Sequence, residues 1–171
     1  ACASFMRPSE SFRATSSASV VSTTTMSSSP NVRITRLVVE ITVRHTDGSF
    51  LLMQRDHTKL DFPGHYEASA SGSALAGETA LQAAKRELAE ETGIRRGEFT
   101  ELYHQTTDVQ AIFVGFLCVT DWPKDNITLQ AGETIDFRWL TRAEFLDYFS
   151  DGLIPYQRDR LSPHLDFILN R

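Results

Sequence analysis

The chain has 171 residues, 41% of them hydrophobic, with eleven Phe and a formal net charge of −5. That is one domain's worth of core-forming sequence with a tail to spare, and its acidic balance argues against general nucleic-acid affinity. No apolar run approaches the length of a membrane span, and the two cysteines, Cys2 and Cys118, are too far apart to define a disulfide framework, which fits a reducing, cytoplasmic setting.

Residues 1–31 are dominated by Ser and Thr, with Arg7 and Arg13 and a single acid, Glu10. Such a composition cannot bury enough apolar surface to build a core, so a disordered leader is expected ahead of a folded domain over 32–171. An Arg- and Ser-rich, acid-poor leader also resembles an organelle transit peptide. Organelle targeting therefore stays open beside two other readings, a native disordered tail and upstream translated sequence with Met26 as a later start.

Val32 to Arg44 is a β-branched run with partial alternation and predicts a strand. His45-Thr46-Asp47-Gly48 follows, and Asp-Gly between apolar runs signals a hairpin whose return strand is Ser49 to Arg55. A loop over Lys59 to His65 is punctuated by Pro63-Gly64, and Tyr66 to Ala70 reads as a short strand. Next comes GSALAGETALQAAKRELAEETGI, Gly72 to Ile94. Thr79 can cap a helix here and Gly93 can stop it, with good helix formers between. Leu81, Ala84 and Leu88 recur at three- and four-residue steps, predicting one buried stripe. Glu87, Glu90 and Glu91 share a second face. Beyond it, Phe99 to Thr106 and Gln110 to Thr120 predict paired strands, and Ile135 to Leu140 a last strand. Thr141-Arg142-Ala143-Glu144 matches a capping box for a helix through Phe149. Pro155 to Arg171 predicts a terminal helix interrupted near Ser162-Pro163. β-rich stretches with a central and a terminal helix imply layered α/β packing.

Carboxylates packed on one helical face repel one another unless a cation joins them. A hard divalent ion such as Mg²⁺ suits them, since it takes oxygen ligands and works with substrate phosphates. Arg86 is placed to tie back to Glu78 or Glu90 and fix carboxylate rotamers, and a glycine at Gly72 lets its carbonyl approach as a further ligand. RELAEE taken alone favours a solvated helix face; the glycine and glutamate upstream at fixed distance tip the balance towards a metal site.

Written as spacings, the segment is Gly72, five residues, Glu78, seven residues, then Arg86-Glu87-Leu88-x-Glu90-Glu91-x-Gly93-Ile94. It resembles the signature of the Nudix hydrolases, with no substitution at a defining position. The resemblance extends over residues 33–150 and implies an α/β/α sandwich around a mixed β-sheet. It implies an enzyme that hydrolyses a diphosphate linkage in a nucleoside diphosphate linked to another moiety, with Mg²⁺ as cofactor and Mn²⁺ as a substitute. The metal set it implies is Gly72, Glu87, Glu90 and Glu91. In the family an acid often enters ahead of the late strand, which marks Glu133 first and Asp136 second. Glu87 and Glu133 are rivals for the general base, with Arg86 beside them in the catalytic set. Arg55 ends a strand aimed at the site, where it either holds a phosphate oxygen or is a salt-bridged strand end. Tyr66, Phe62 and Trp122 are candidates to stack on a ring, the alternative being plain core. Family members are often homodimers, though no residue pattern here demonstrates one.

LLMQRDHTKLDFPGHYEASASG resembles the approach to the box in the branch containing prenyl-diphosphate isomerases. Those carry a catalytic cysteine before the helix, whereas Ala68-Ser69-Ala70-Ser71-Gly72 has none, so an isomerase is disfavoured. A non-catalytic nucleotide sensor is the other alternative, against which the intact acids stand.

Overall fold

The computed structural model describes residues 36–107 and 111–171. The expected leader, the first residues of the predicted strand from Val32, and Gln110 lie outside the described residues. The elements in chain order are β1 (Arg36–His45), β2 (Phe50–Arg55), β3 (Tyr66–Ala68), β4 (Ala70–Ser73), α1 (Ala80–Thr92), β5 (Glu98–Thr106), β6 (Ala111–Thr120) and β7 (Thr134–Leu140). Helices α2 (Arg142–Asp151), α3 (Pro155–Leu161) and α4 (Leu165–Asn170) follow, with a 3₁₀ turn at Ser162–His164 before α4.

β1 is the organising strand. Its residues from Val38 to Val43 are buried on both faces, as expected of a strand covered on each side. It runs parallel to β6 in register from Arg36↔Ala111 to His45↔Thr120, and β5 closes that edge antiparallel to β6. The Asp47-Gly48 turn forms, with Gly48 in the left-handed region at φ +90. The hairpin does not continue into a ladder, since β1 and β2 pair only at Arg44↔Phe50. Beyond that point β1 pairs with β4, while β2 pairs with β3 and β7.

Ser69 makes the split. The predicted strand from Tyr66 to Ala70 breaks there, because Ser69 adopts φ +60, which is costly without a compensating contact. Its buried hydroxyl donates to the Leu51 carbonyl and accepts from the Val43 N–H, both at 2.8 Å. One side chain thus supplies the hydrogen bonds that the parting strands lack.

Helix α1 begins with a capping box between Thr79 and Gln82 and ends at Gly93 in the left-handed conformation, φ 78. Ala83, Ala84, Leu88 and the following Ile94 are fully buried against Val39, Ile41, Val43, Leu51 and Met53. Leu81 departs from the expected stripe and is 40% exposed. The apolar residues of α1 that pack on the sheet are Ala80, Ala83, Ala84 and Leu88, and at about 100° per residue Leu81 falls at the rim of that stripe. On the other sheet face, Phe145, Phe149, Leu161, Ile168 and Leu169 of α2–α4 pack on Phe50, Leu52 and Leu117. The Phe50 and Phe145 rings stack at 4.1 Å. Helices on both faces of a mixed sheet give the α/β/α sandwich.

Candidate active site

The site forms where β4 meets the exposed side of α1. Cβ directions alternate along a strand, so Gly72, paired with Val39, faces α1. A Cβ on Gly72 would lie 2.1 Å from the Glu87 carboxyl carbon. The absent side chain is what allows the Glu87 carboxylate to rest against the β4 backbone. One turn on, Glu91 is almost wholly buried, at 4% exposure. Burial drives its pKa well above the ordinary carboxylate value, with the charges of Glu67 and Glu87 adding to the effect and the Ser71 N–H opposing it. Glu87 is also raised, first by burial, against the pull of Arg86.

Arg86 is the hub. Its Nε and Nη2 donate to the two Glu78 oxygens at 2.9 and 3.0 Å. Nη1 donates to Glu87 at 2.9 Å and to Glu90 at 3.1 Å, and Nη2 reaches the Ser73 carbonyl at 3.0 Å. The hydrogen bonds to Glu78, followed by the Glu87 contacts, hold the guanidinium well above its usual pKa. Glu78 in turn accepts from the Leu75 N–H at 2.8 Å. The fork therefore fixes the loop from Ser73 to Glu78, and two of the carboxylates on α1, in one rigid piece.

Glu133 precedes β7, where its carbonyl accepts from the Asp56 N–H at 2.8 Å and its carboxylate pairs with Lys59. Its charge bears on both Glu87 and Glu91, so the β6–β7 loop does approach the helix carboxylates. Asp136, the second acid considered, turns instead to Tyr66, accepting from its hydroxyl at 2.5 Å. Tyr66 belongs to the core on the α2 side, with Arg138 over its ring at 4.4 Å. It does not line the cleft beside Gly72. Arg55 does line it, but its Nη1 is bonded to Glu67 at 2.8 Å and its Nε to the Asp61 carbonyl at 3.0 Å. Trp122 packs on the α1 side, with Arg96 over its ring at 5.0 Å.

Two buried acids went unnoticed in the sequence. Glu67 on β3 bonds Arg55 and also accepts from Gln157 Nε2 at 3.1 Å. Glu40 on β1 is forked by Arg160, Nε at 2.6 Å and Nη2 at 2.5 Å, and accepts from the Tyr103 hydroxyl at 2.5 Å. The signal for both was an acid set within an apolar strand, which demands a buried partner; Arg55 on β2 and Tyr103 on β5 supply part of the answer, and Gln157 and Arg160 of α3, about a hundred residues away in sequence, the rest. Glu40, Arg55, Gly72 and Arg160 all border one cleft of about 450 Å³.

Among the described residues no three His, Cys, Asp or Glu side chains converge as a ready metal cage. What is present is a set of oxygen donors, Glu87 seated where a Cβ would clash and Glu91 buried near like charges. That donor chemistry fits a hard divalent cation.

A mixed sheet between helices, with a capped helix presenting carboxylates against a close-packed glycine, is the framework of a phosphoanhydride hydrolase. The chain belongs to the Nudix family: the model of the NUDIX domain matches residues 34–159. It is 33% identical over 127 residues to the Nudix hydrolase lmo0368 of Listeria monocytogenes, covering 70% of this chain and 72% of that one. It is 34% identical over 107 residues to the Nudix hydrolase YfcD of Escherichia coli, covering 61% and 58%. Among solved structures it is similar to DR0079 of Deinococcus radiodurans, with TM-score 0.61, 19% identity and coverage of 84% and 88%. It also resembles the MutT protein of Methanosarcina mazei, with TM-score 0.60, 20% identity and coverage of 80% and 96%. By family the protein is a Nudix hydrolase, an enzyme acting on phosphorus-containing acid anhydrides. No helix among the described residues is long and apolar enough to cross a membrane.

Proposed function

We propose that the protein hydrolyses a diphosphate linkage in a nucleoside diphosphate joined to another moiety, with Mg²⁺ as cofactor and Mn²⁺ able to replace it. The observation that carries this reading is the contact of the Glu87 carboxylate with the bare backbone of Gly72, beside the buried Glu91. Glu87, Glu90, Glu91 and the Gly72 carbonyl would hold the metal. Bound there, Mg²⁺ would neutralise the charge that develops on the phosphates.

The chain's own groups do the rest. Arg86 fixes the rotamers of Glu87 and Glu90 through its Nη1 donors. A carboxylate takes a proton from the attacking water while the water oxygen bonds to phosphorus and the bridging P–O bond breaks. Two phosphorylated halves leave. Glu87 and Glu133 are the two candidates for that proton transfer, and Lys59 is bonded to the second of them. Arg55, Tyr66 and the branch resemblance to prenyl-diphosphate isomerases remain secondary: Arg55 reaches the cleft through a guanidinium already paired, and Tyr66 is held in the core by Asp136 and Arg138.

The test is metal-dependent turnover across ADP-ribose, nucleotide sugars, dinucleotides, nucleoside triphosphates and prenyl diphosphates, with Glu91→Gln as control. Loss of turnover in the variant by at least about a hundredfold is expected. Equal activity in the two proteins would sink the mechanism. Nucleotide binding that persists without metal, with no turnover of any panel member, would favour a sensor. Replacing Glu133 and Glu87 separately by Gln then separates the base from the ligand.

A further inference from the structure

We propose that the cavity at the far end of β1, walled by Arg44, Lys124 and Arg142, is a second anion site that takes a phosphate group, free or borne by a small non-aromatic ester. It is separate from the diphosphate site, and the proposal does not depend on hydrolysis.

Strand register sets the separation. Gly72 pairs with Val39, and Arg44 lies five residues further along β1, about 17 Å away at the usual rise of an extended chain. Side chains alternate along β1, so Arg44 stands on the same face as Glu40, the one covered by α2–α4. Thr42 comes between them, with Leu117 as its register partner on β6, and both are buried. Packed interior therefore divides this cavity from the cleft beside Gly72.

Three elements bring the cations together: Arg44 from β1, Lys124 from the loop after β6 and Arg142 from the start of α2. Asp47, in the β1–β2 turn, is the one acid on the lining among the described residues. It is already committed, with Oδ2 at 2.5 Å from Lys124 Nζ and Oδ1 accepting from the Ser49 N–H and hydroxyl at 2.9 and 2.7 Å. The arginines hold main chain at the end of α4 instead. Arg44 Nη1 donates to the Arg171 oxygen, and Arg142 Nη1 to the Leu169 carbonyl at 2.9 Å and to Asn170 Oδ1 at 3.1 Å. Capping α4 is the plain reading of both. It engages one nitrogen of each fork, however, and a guanidinium carries five N–H donors. Arg44 Nε is buried with no acceptor among the described residues, a costly state for a donor. Even a free carboxylate at Arg171 would leave the lining with more cations than acids. In a chain of net charge −5, that local surplus draws anions to this end of the sheet.

A phosphate group suits the cavity. Its oxygens accept from donors on several elements at once, whereas the two oxygens of a carboxylate are filled by a single guanidinium. The first turn of α2 is closed by the Thr141–Glu144 box, so side chains and not the helix end make the site. The volume of about 330 Å³ is at the lower end of small-ligand sites and leaves room for a short organic group. No aromatic side chain stands on the lining among the described residues, so a nucleobase would find nothing to stack on.

The test is calorimetry on the full chain without divalent metal, titrated with inorganic phosphate and with glycerol phosphate, and with NaCl at matched ionic strength as the control for screening. Both phosphate probes should bind at one site. Lys124→Gln and Arg142→Gln should each weaken binding by about 10- to 100-fold, while Arg36→Gln, in the cleft beside Gly72, binds as the wild type does. Tighter binding of glycerol phosphate identifies an ester as the occupant, and tighter binding of inorganic phosphate the free ion. The proposal is overturned if neither probe binds at millimolar concentration, or if both glutamine variants at the cavity, shown folded by thermal melting, bind phosphate unchanged. Loss of binding in Arg36→Gln alone would overturn it too, since the anion would then sit in the cleft.

Discussion

Glycine at 72 separates function from folding in a way that can be measured. Gly72→Ala puts a methyl group where the Glu87 carboxyl now sits, and Glu87 is the end of a flexible side chain, so the fold can yield by rotating it away. Thermal stability should change by less than about 1 kcal/mol, whereas metal-dependent turnover should fall by about a hundredfold, the cost of a ligand displaced by an ångström or so. Parallel losses in both would mean that Gly72 serves packing alone. Glu91 allows a second prediction, with a sign set by its raised pKa. A carboxyl that holds its proton more tightly when folded contributes its stability below the ordinary carboxylate range and loses it as pH rises through the folded value. In metal-free protein, Glu91→Gln should therefore melt higher than wild type near about pH 8, with the gap closing towards about pH 4. A gap independent of pH would show that burial of this acid costs nothing.

At the level of elements, local chemistry was legible where a residue acts on its neighbours. Thr79, Gly93 and the Thr141–Glu144 box all cap as their sequence implies, and the Asp47-Gly48 turn forms. What escaped was long-range. Nothing in Val32–Arg44 says that β1 lies parallel to β6, or that β2 leaves it after one residue pair. Leu81 satisfies the helical period yet stays exposed, because periodicity marks a face and not what covers it. Glu67 and Glu40 each take a hydrogen-bond partner from α3, Gln157 and Arg160, that lies distant in sequence. Ser69 concentrates the lesson in one hydroxyl. Ser69→Ala leaves the Val43 N–H and Leu51 carbonyl buried without their partner, at about 1–3 kcal/mol for each group. Chemical denaturation should show a loss of roughly 2–4 kcal/mol with an unchanged slope. A loss under about 0.5 kcal/mol would mean that the strands re-pair across the split.

For the whole molecule, the acidic charge and the proposed chemistry are in tension, and the proposed metal would resolve it. The chain carries −5 overall, and neighbouring carboxylates oppose ionisation at two positions of α1, Glu67, Glu87 and Glu133 at Glu91 and Glu90 and Glu133 at Glu87. Arg86 and Lys59 offset part of this, but a diphosphate adds further negative charge to the same place. The metal-free protein is thus held below its attainable stability by its own site. A cation that binds the folded state alone must raise the melting temperature by mass action, worth about 2.7 kcal/mol at a hundred times its dissociation constant. Millimolar Mg²⁺ should stabilise wild type, more so at higher pH where it no longer has to displace the Glu91 proton. It should do little for Glu91→Gln. NaCl at matched ionic strength is the control, since simple screening acts on surface charges of either protein alike. If NaCl stabilises as well as Mg²⁺, the carboxylates on α1 are a solvated face and the metal site is wrong.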